Sequence, residues 1–254
     1  MSGKAPIDLS GRPKVVFVAG LGATGKTTWV RWAVGEILAR NAPARLAAID
    51  PENRELRDFY DDILEPPTHD PAGIASWLKN LLDVSLREKS SALIDTGGGD
   101  AALGTLVSRT ENLTQVMVEN GVHPVAVYPL SPRISDLAPL AALEEAGFQP
   151  QATLIILNEG RADSTVPREH AFRTVMRHSV YKAAIDRGAY QVWMPRLYVA
   201  KDVEDRRLTF QQARDGIVPE GRKAIPLGVL DRSSVHRWLQ QMSVAFAPVM
   251  SWLP

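Results

Sequence analysis

The chain has 254 residues, 45% of them apolar and 23% charged, enough apolar material to bury a large core. Lysine plus arginine equals aspartate plus glutamate at 29 each, which removes the overall basic bias of a protein whose main work is coating nucleic acid. Cysteine is absent, so disulfides, thiolate metal sites and a cysteine nucleophile are excluded, and the expected compartment is the cytoplasm.

Residues 1–13 are polar with scattered apolar positions and lack the continuous apolar stretch of a secretory signal. They read as a short extension to one domain spanning 1–254. They leave no length for a helix-turn-helix module, so sequence-specific DNA reading is not expected. No apolar run approaches the roughly 20 residues that cross a bilayer, and membrane association is not expected.

From Lys14 onward, short β-branched runs alternate with longer amphipathic stretches, the rhythm of βαβ units. The fold class read from this is α/β, a mostly parallel central sheet with helices on both faces. Strands are expected at Lys14 to Ala19, Arg45 to Asp50, Ala92 to Asp95, Val122 to Tyr128, Ala152 to Asn158 and Gln191 to Met194. Helices are expected at Gly25 to Arg40, Pro71 to Lys89, Gly104 to Asn120, Ile134 to Ala146, Pro167 to Arg187, Asp205 to Asp215 and Ser234 to Phe246. Asp70 before Pro71 is an N-cap signal, and Gly121, Gly147 and Gly188 stand where a left-handed C-terminal residue is wanted. Asn53 to Thr68, acidic and ending in two prolines, reads as a mobile loop, and Gly216 to Leu230 as an irregular stretch.

The first strand runs into Gly20-Leu21-Gly22-Ala23-Thr24-Gly25-Lys26-Thr27-Thr28 and then into a helix, the order a phosphate-binding loop requires. In such a loop backbone amides turn inward around phosphate oxygens, Lys26 brings positive charge to the β and γ phosphates, and Thr27 offers its hydroxyl to Mg2+. The helix amino terminus adds its dipole. ATP and Mg2+ are therefore the expected cofactors, although sequence leaves ATP and GTP undistinguished.

Ligands of open parallel sheets bind beyond the carboxyl ends of the strands, which draws attention to the residues there. Asp50 closes the second strand, either as a site residue or as a turn former before Pro51. Asp95 closes the third, ahead of Thr96 and Gly97 to Gly99, where it either holds Mg2+ or caps the next helix. The glycines, Gly98 among them, can carry amides to a γ-phosphate and swing away when it leaves. Asn158 closes the fifth strand, reading a base edge or forming a turn.

Together these segments resemble the ParA/MinD family of P-loop ATPases over about residues 14 to 240. Gly22, Ala23, Thr24, Gly25, Lys26, Thr27 and Thr28 match the later part of that family's loop. Ile49-Asp50-Pro51 resembles its switch I, and Asp95-Thr96 with the following glycines its switch II. Asn158 resembles the adenine-contacting asparagine, Met194-Pro195 the strand end beside the base, and Phe210 to Gly216 a late helix. The resemblance implies an ATP-dependent homodimer that hydrolysis dissolves, a protein partner that stimulates hydrolysis, and Asp50 positioning the attacking water. Leu21 stands where that family usually carries a second lysine reaching the partner's nucleotide. Slow hydrolysis, a cation borrowed from Arg54 or Arg57, and no hydrolysis are all left open.

The functional reading is a switch ATPase acting in DNA or plasmid partition or cargo positioning. The alternatives are an accessory ATPase of plasmid mobilisation or conjugation, a small-molecule kinase with Arg161 or Arg206-Arg207 as lid arginines, and a non-hydrolysing scaffold. Basic residues from Arg168 to Arg187 could give weak, non-specific DNA binding or simply a solvated helix face. Val235, Trp238, Leu239, Met242 and Phe246 form a helical apolar stripe expected to pack on the domain, and Trp29 and Trp32 are expected in the core. The five histidines show no metal-ligand spacing.

Overall fold

A computed structural model describes residues 5–49, 55–97 and 101–254. Strands form where aliphatic and β-branched residues run together: β1 Lys14–Val18, β2 Ala44–Ala48, β3 Ile63–Leu64, β4 Ser91–Asp95, β5 His123–Leu130, β6 Ala152–Asn158 and β7 Tyr190–Met194. Among the described residues they make one seven-stranded sheet in the order β3-β2-β4-β1-β5-β6-β7, with every neighbouring pair parallel.

Both faces of the sheet are covered, which is why its strands read as continuous apolar runs rather than alternating ones. Val16, Val18, Val125, Val127, Leu154 and Ile156 point to one face, where they pack with Trp29, Trp32 and Trp238. Val15, Phe17, Ala126, Tyr128, Ile155 and Leu157 point to the other, with Leu78, Leu103, Leu140 and Phe172. This is the expected α/β class, a parallel sheet with helices on both faces and β1 in its interior.

The helices are α1 Lys26–Ala39, α2 Pro71–Glu88, α3 Ala101–Arg109, α4 Leu113–Glu119, α5 Ala138–Glu145, α6 Arg168–Ala171, α7 Arg173–Arg177, α8 Ser179–Asp186, α9 Ala200–Asp205, α10 Phe210–Asp215 and α11 Val229–Phe246. At the start of α2, Asp70 accepts from the Gly73 amide at 2.8 Å with Pro71 in the first helical position, as the sequence signals. Thr209 and Gln212 close a reciprocal capping box on α10, and Gly216 ends it in the left-handed conformation. The apolar stripe of α11 is buried, and so are Trp29 and Trp32 on α1, as expected.

Several expected elements differ. The stretch expected as one helix over Gly104 to Asn120 is α3 and α4, separated at Asn112, whose φ is +53°. Pro167 to Arg187 is broken twice, because Phe172 leaves helical geometry and His178 is extended, its Nδ1 accepting from the Val180 amide at 3.3 Å. The start of Ile134 to Ala146 is a 3-10 turn, Ile134–Leu137. Asp205 to Asp215 belongs to α9 and α10, with Arg207 at φ +51° between them.

The loop expected from Asn53 to Thr68 is ordered packing over its described part. It forms the 3-10 turn Glu55–Asp58 and then β3, which pairs with β2. Leu56, Phe59, Tyr60 and Ile63 enter the core, which outweighs the acidic, proline-ended composition. The Arg31 guanidinium of α1 stacks on the Phe59 ring at 3.6 Å and faces Phe210 at 4.6 Å. The Tyr60 hydroxyl donates to the Arg31 carbonyl at 2.8 Å.

Candidate functional site

The parallel register brings the carboxyl ends of the central strands to one edge. Asp95 sits opposite Val18, the last residue of β1, and opposite Ala48 of β2. The ladder continues past the strand ends: the Thr96 amide and hydroxyl both donate to the Val18 carbonyl, at 3.1 and 2.9 Å, and the Ala19 amide donates to the Val127 carbonyl at 2.9 Å. The chain from Gly20 to Gly25 then arches from β1 into α1.

Local geometry makes that arch a cradle. Ala23 has φ +63°, an uncommon left-handed position for a residue with a Cβ, and Gly25 follows at φ +97° as the N-cap of α1. Successive turns of this kind aim backbone N–H groups into one concavity, beside the positive end of the helix. Lys26, at the first position of α1, is buried, and its Nζ donates to the carbonyls of Gly20 at 2.6 Å and Leu21 at 3.0 Å. Thr24 Oγ1 also donates to the Leu21 carbonyl, at 3.0 Å, so the arch is braced from inside. Gly22 and Ala23 are exposed at its tip, and Thr27 and Thr28 are half-buried in the first turn of α1.

Asn158, at the end of β6, is buried and fastens this loop. Its Nδ2 donates to the Thr24 carbonyl at 2.9 Å, while its Oδ1 accepts from the Gly160 amide at 2.9 Å. A Cβ on Gly25 would lie 2.1 Å from Asn158 Nδ2, so the close approach requires glycine as much as the backbone angle does. Pro195 follows β7, the strand paired with β6, and its carbonyl accepts from Trp238 Nε1 at 2.9 Å.

Asp95 is buried, and one carboxylate oxygen accepts from the Gly97 amide at 3.0 Å. Asp50 and Gly98 lie outside the described residues. Loop, Asp95 and Asn158 thus stand at the same edge of the sheet, as the strand-end argument requires. No cluster of three or more His, Cys, Asp or Glu suited to a metal exists among the described residues. Thr27 and Asp95 carry oxygen donors of the kind Mg2+ takes, an ion that uses one or two protein oxygens and completes its shell with phosphates and water.

Sequence reasoning missed Arg133. It follows β5, which neighbours β1, and its Nη2 donates to the Gly22 carbonyl at 3.0 Å. Its Nε donates to Ser131 Oγ at 3.1 Å, and Nη2 lies 3.0 Å from Asp136 Oδ1. That oxygen makes an ionic contact rather than an aligned hydrogen bond. Ser131-Pro132-Arg133 after an apolar strand beside the loop strand was the available signal, by the same strand-end rule that singled out Asp95.

Arg57, Arg168, Arg206 and Arg207, also named from sequence, make ion pairs, while Arg54 lies outside the described residues. Arg57 pairs with Glu65 at 3.1 Å, Arg207 with Asp58 at 3.2 Å, and Arg206 with Asp202 at 3.1 Å. Arg168 pairs with Glu159 at 2.7 Å and Glu169 at 3.0 Å, which removes it from an open basic face. A cavity of 710 Å³ lined by Arg12, Lys14, Arg40 and Lys89 lies at the opposite, amino-terminal edge of the sheet, away from this arrangement. No described helix is long and apolar enough to cross a membrane.

No protein-family profile matches the sequence, and no curated protein sequence matches it. Among solved structures, the chain is similar to the MinC:MinD cell division protein complex of Aquifex aeolicus, at 14% identity and a TM-score of 0.48, over 91% of this chain and 96% of that one. It is also similar to the MinD cell division protein of Aquifex aeolicus, at 14% identity and a TM-score of 0.44, over 91% of this chain and 97% of that one.

Proposed function

We propose that the protein binds ATP with Mg2+ at the loop from Gly20 to Thr28 and hydrolyses it as a nucleotide switch, one domain acting as an ATP-dependent homodimer in DNA or plasmid partition or cargo positioning. The observation that carries this reading is the buried Lys26 ammonium held on the Gly20 and Leu21 carbonyls inside a preformed arch. Two carbonyl oxygens already occupy the place that phosphate oxygens would take, so binding exchanges acceptors around a charge that is in position. Preorganised donors of this sort are what phosphoryl transfer needs, since its catalysis is mostly positioning and electrostatic stabilisation.

The amides of Gly22, Ala23, Thr24 and Gly25 cradle the phosphates, with Thr28 in the first turn of the helix behind them. Thr27 and Asp95 hold Mg2+, which when bound neutralises charge on the phosphate oxygens. Asp50 orients the attacking water, Gly98 meets the γ-phosphate, and Pro195 flanks the base next to Asn158. A protein partner would accelerate turnover by completing the site.

The test is sedimentation velocity with Mg-ATP and with Mg-ADP, run beside an assay of phosphate release. A dimer with ATP, a monomer with ADP and measurable phosphate release are expected. A monomer in both nucleotides would contradict the switch, and ATP binding without phosphate release even with partners added would leave a scaffold.

A further inference from the structure

Arg133 approaches the phosphate loop from outside the loop's own sequence. Lys26 Nζ marks where the β and γ phosphates belong, and it rests on Gly20 and Leu21, so the first half of the arch is its terminal-phosphate side. The guanidinium of Arg133 is bonded to the very next carbonyl, that of Gly22, at 3.0 Å. Gly22 is exposed, so this contact lies on the rim of the cradle rather than beneath it.

The arginine is aimed. Its partner Asp136 is wholly buried, and one oxygen of that carboxylate accepts from the Ser131 amide at 2.9 Å and from the Ser131 hydroxyl at 2.5 Å. Ser131 Oγ in turn accepts from Arg133 Nε, so the two side chains hold the guanidinium plane between them. Yet 54% of the Arg133 side chain is exposed, and its hydrogen bonds among the described residues run from Nε and Nη2. A buried carboxylate that orients a half-exposed guanidinium, with donors to spare, on the edge of an anion cradle is a construction for a second anion contact.

We propose that Arg133 contacts the terminal phosphate of the bound nucleotide, so that it distinguishes a nucleoside triphosphate from a diphosphate. The inference rests on the nucleotide reading given above. In the triphosphate complex the guanidinium gives up or shares the Gly22 carbonyl and donates to a γ-phosphate oxygen, while Ser131 and Asp136 keep its plane fixed. Arg133 is then a substrate-contacting residue, and Asp136 a positioning residue that acts through it.

The experiment is calorimetric titration of wild type, Arg133→Gln and Arg133→Lys with Mg-ADP and with a non-hydrolysable Mg-ATP analogue. Arg133→Gln is expected to lose about tenfold or more in affinity for the triphosphate analogue while its ADP affinity changes by less than about twofold. Arg133→Lys, which keeps the charge without the fork, is expected to fall between, and it carries the test alone if the glutamine variant does not fold. Equal losses for both nucleotides would assign Arg133 to holding Gly22 and overturn the proposal, as would unchanged binding. Wild-type protein that binds neither nucleotide would overturn the nucleotide reading itself, and the proposal with it.

Discussion

The side-chain amide of Asn158 donates to the backbone carbonyl of Thr24 across 2.9 Å, so the end of β6 holds the middle of the arch from Gly20 to Gly25. Removing the amide leaves a buried carbonyl and the Gly160 amide without that partner, at a cost of about 1–3 kcal/mol. Asn158→Ala is therefore expected to lower unfolding stability by that order in urea titrations. It is also expected to weaken ATP and GTP by the same factor, because the loop loosens under both. A selective loss of ATP would instead assign the side chain to the base.

Two glycines of the loop should separate folding from binding. Gly25 has φ +97°, and a Cβ there would lie 2.1 Å from Asn158 Nδ2, whereas one on Gly22 would meet nothing within 4 Å. Gly25→Ala is expected to cost about 2 kcal/mol or more of stability through strain and displacement of Asn158. Gly22→Ala puts a methyl into open space at the rim of the arch, so it is expected to stay within about 0.5 kcal/mol of wild type, and a loss of nucleotide affinity there would report contact with ligand rather than strain. Thermal unfolding beside nucleotide titration of both variants checks the contrast.

The parts of this site legible in the sequence are those that follow from local chemistry. Strand, glycines, lysine and helix come in one order, and Asp95 ends an apolar run, so loop and sheet edge are legible in the sequence itself. Arg133 was not, because its role depends on β5 lying beside β1, a pairing between residues more than a hundred positions apart from the loop. The packed segment after residue 54 was misread for a related reason: Phe59 is buried by Arg31 and Tyr60 is fastened to it, partners that composition does not reveal. The break at His178 has a local cause, a ring nitrogen capping α8, but histidine is an unusual cap and the helical pattern on either side concealed it.

Burial raises the Tyr60 hydroxyl from an ordinary value of 10.0 to about 12, with the Arg31 charge opposing that rise. Because the folded state holds this proton more tightly than the unfolded state, the full stability is present below pH 10 and is lost as pH rises through about 12. The loss is on the order of 2–3 kcal/mol at most. Tyr60→Phe forgoes the hydrogen bond to the Arg31 carbonyl, costing about 1 kcal/mol near neutrality. Its stability is expected to decline less steeply than that of wild type on the alkaline side, as denaturant titrations at pH 8 and 11 would show. Parallel declines would contradict this.

Asp95 ends β4 opposite Val18, the last residue of the strand that leads into the arch, and it is a residue proposed to hold Mg2+. Asp95→Asn keeps the shape of the residue but removes the charge a divalent ion needs. The variant, which keeps Thr27, is expected to gain much less affinity for ATP from Mg2+ than wild type gains. A full Mg2+ response in the variant would place the ion elsewhere.

The central claim is that the arch from Gly20 to Lys26 receives nucleotide phosphates, and equilibrium titration of wild type and Lys26→Ala with Mg-ATP tests it most directly. Loss of the ammonium that now rests on the Gly20 and Leu21 carbonyls should weaken ATP by about 100-fold or more, a charge-assisted contact of several kcal/mol in a sheltered site. Saturable binding by wild type and none measurable in the variant is the expected result; equal affinity in the two proteins would contradict it.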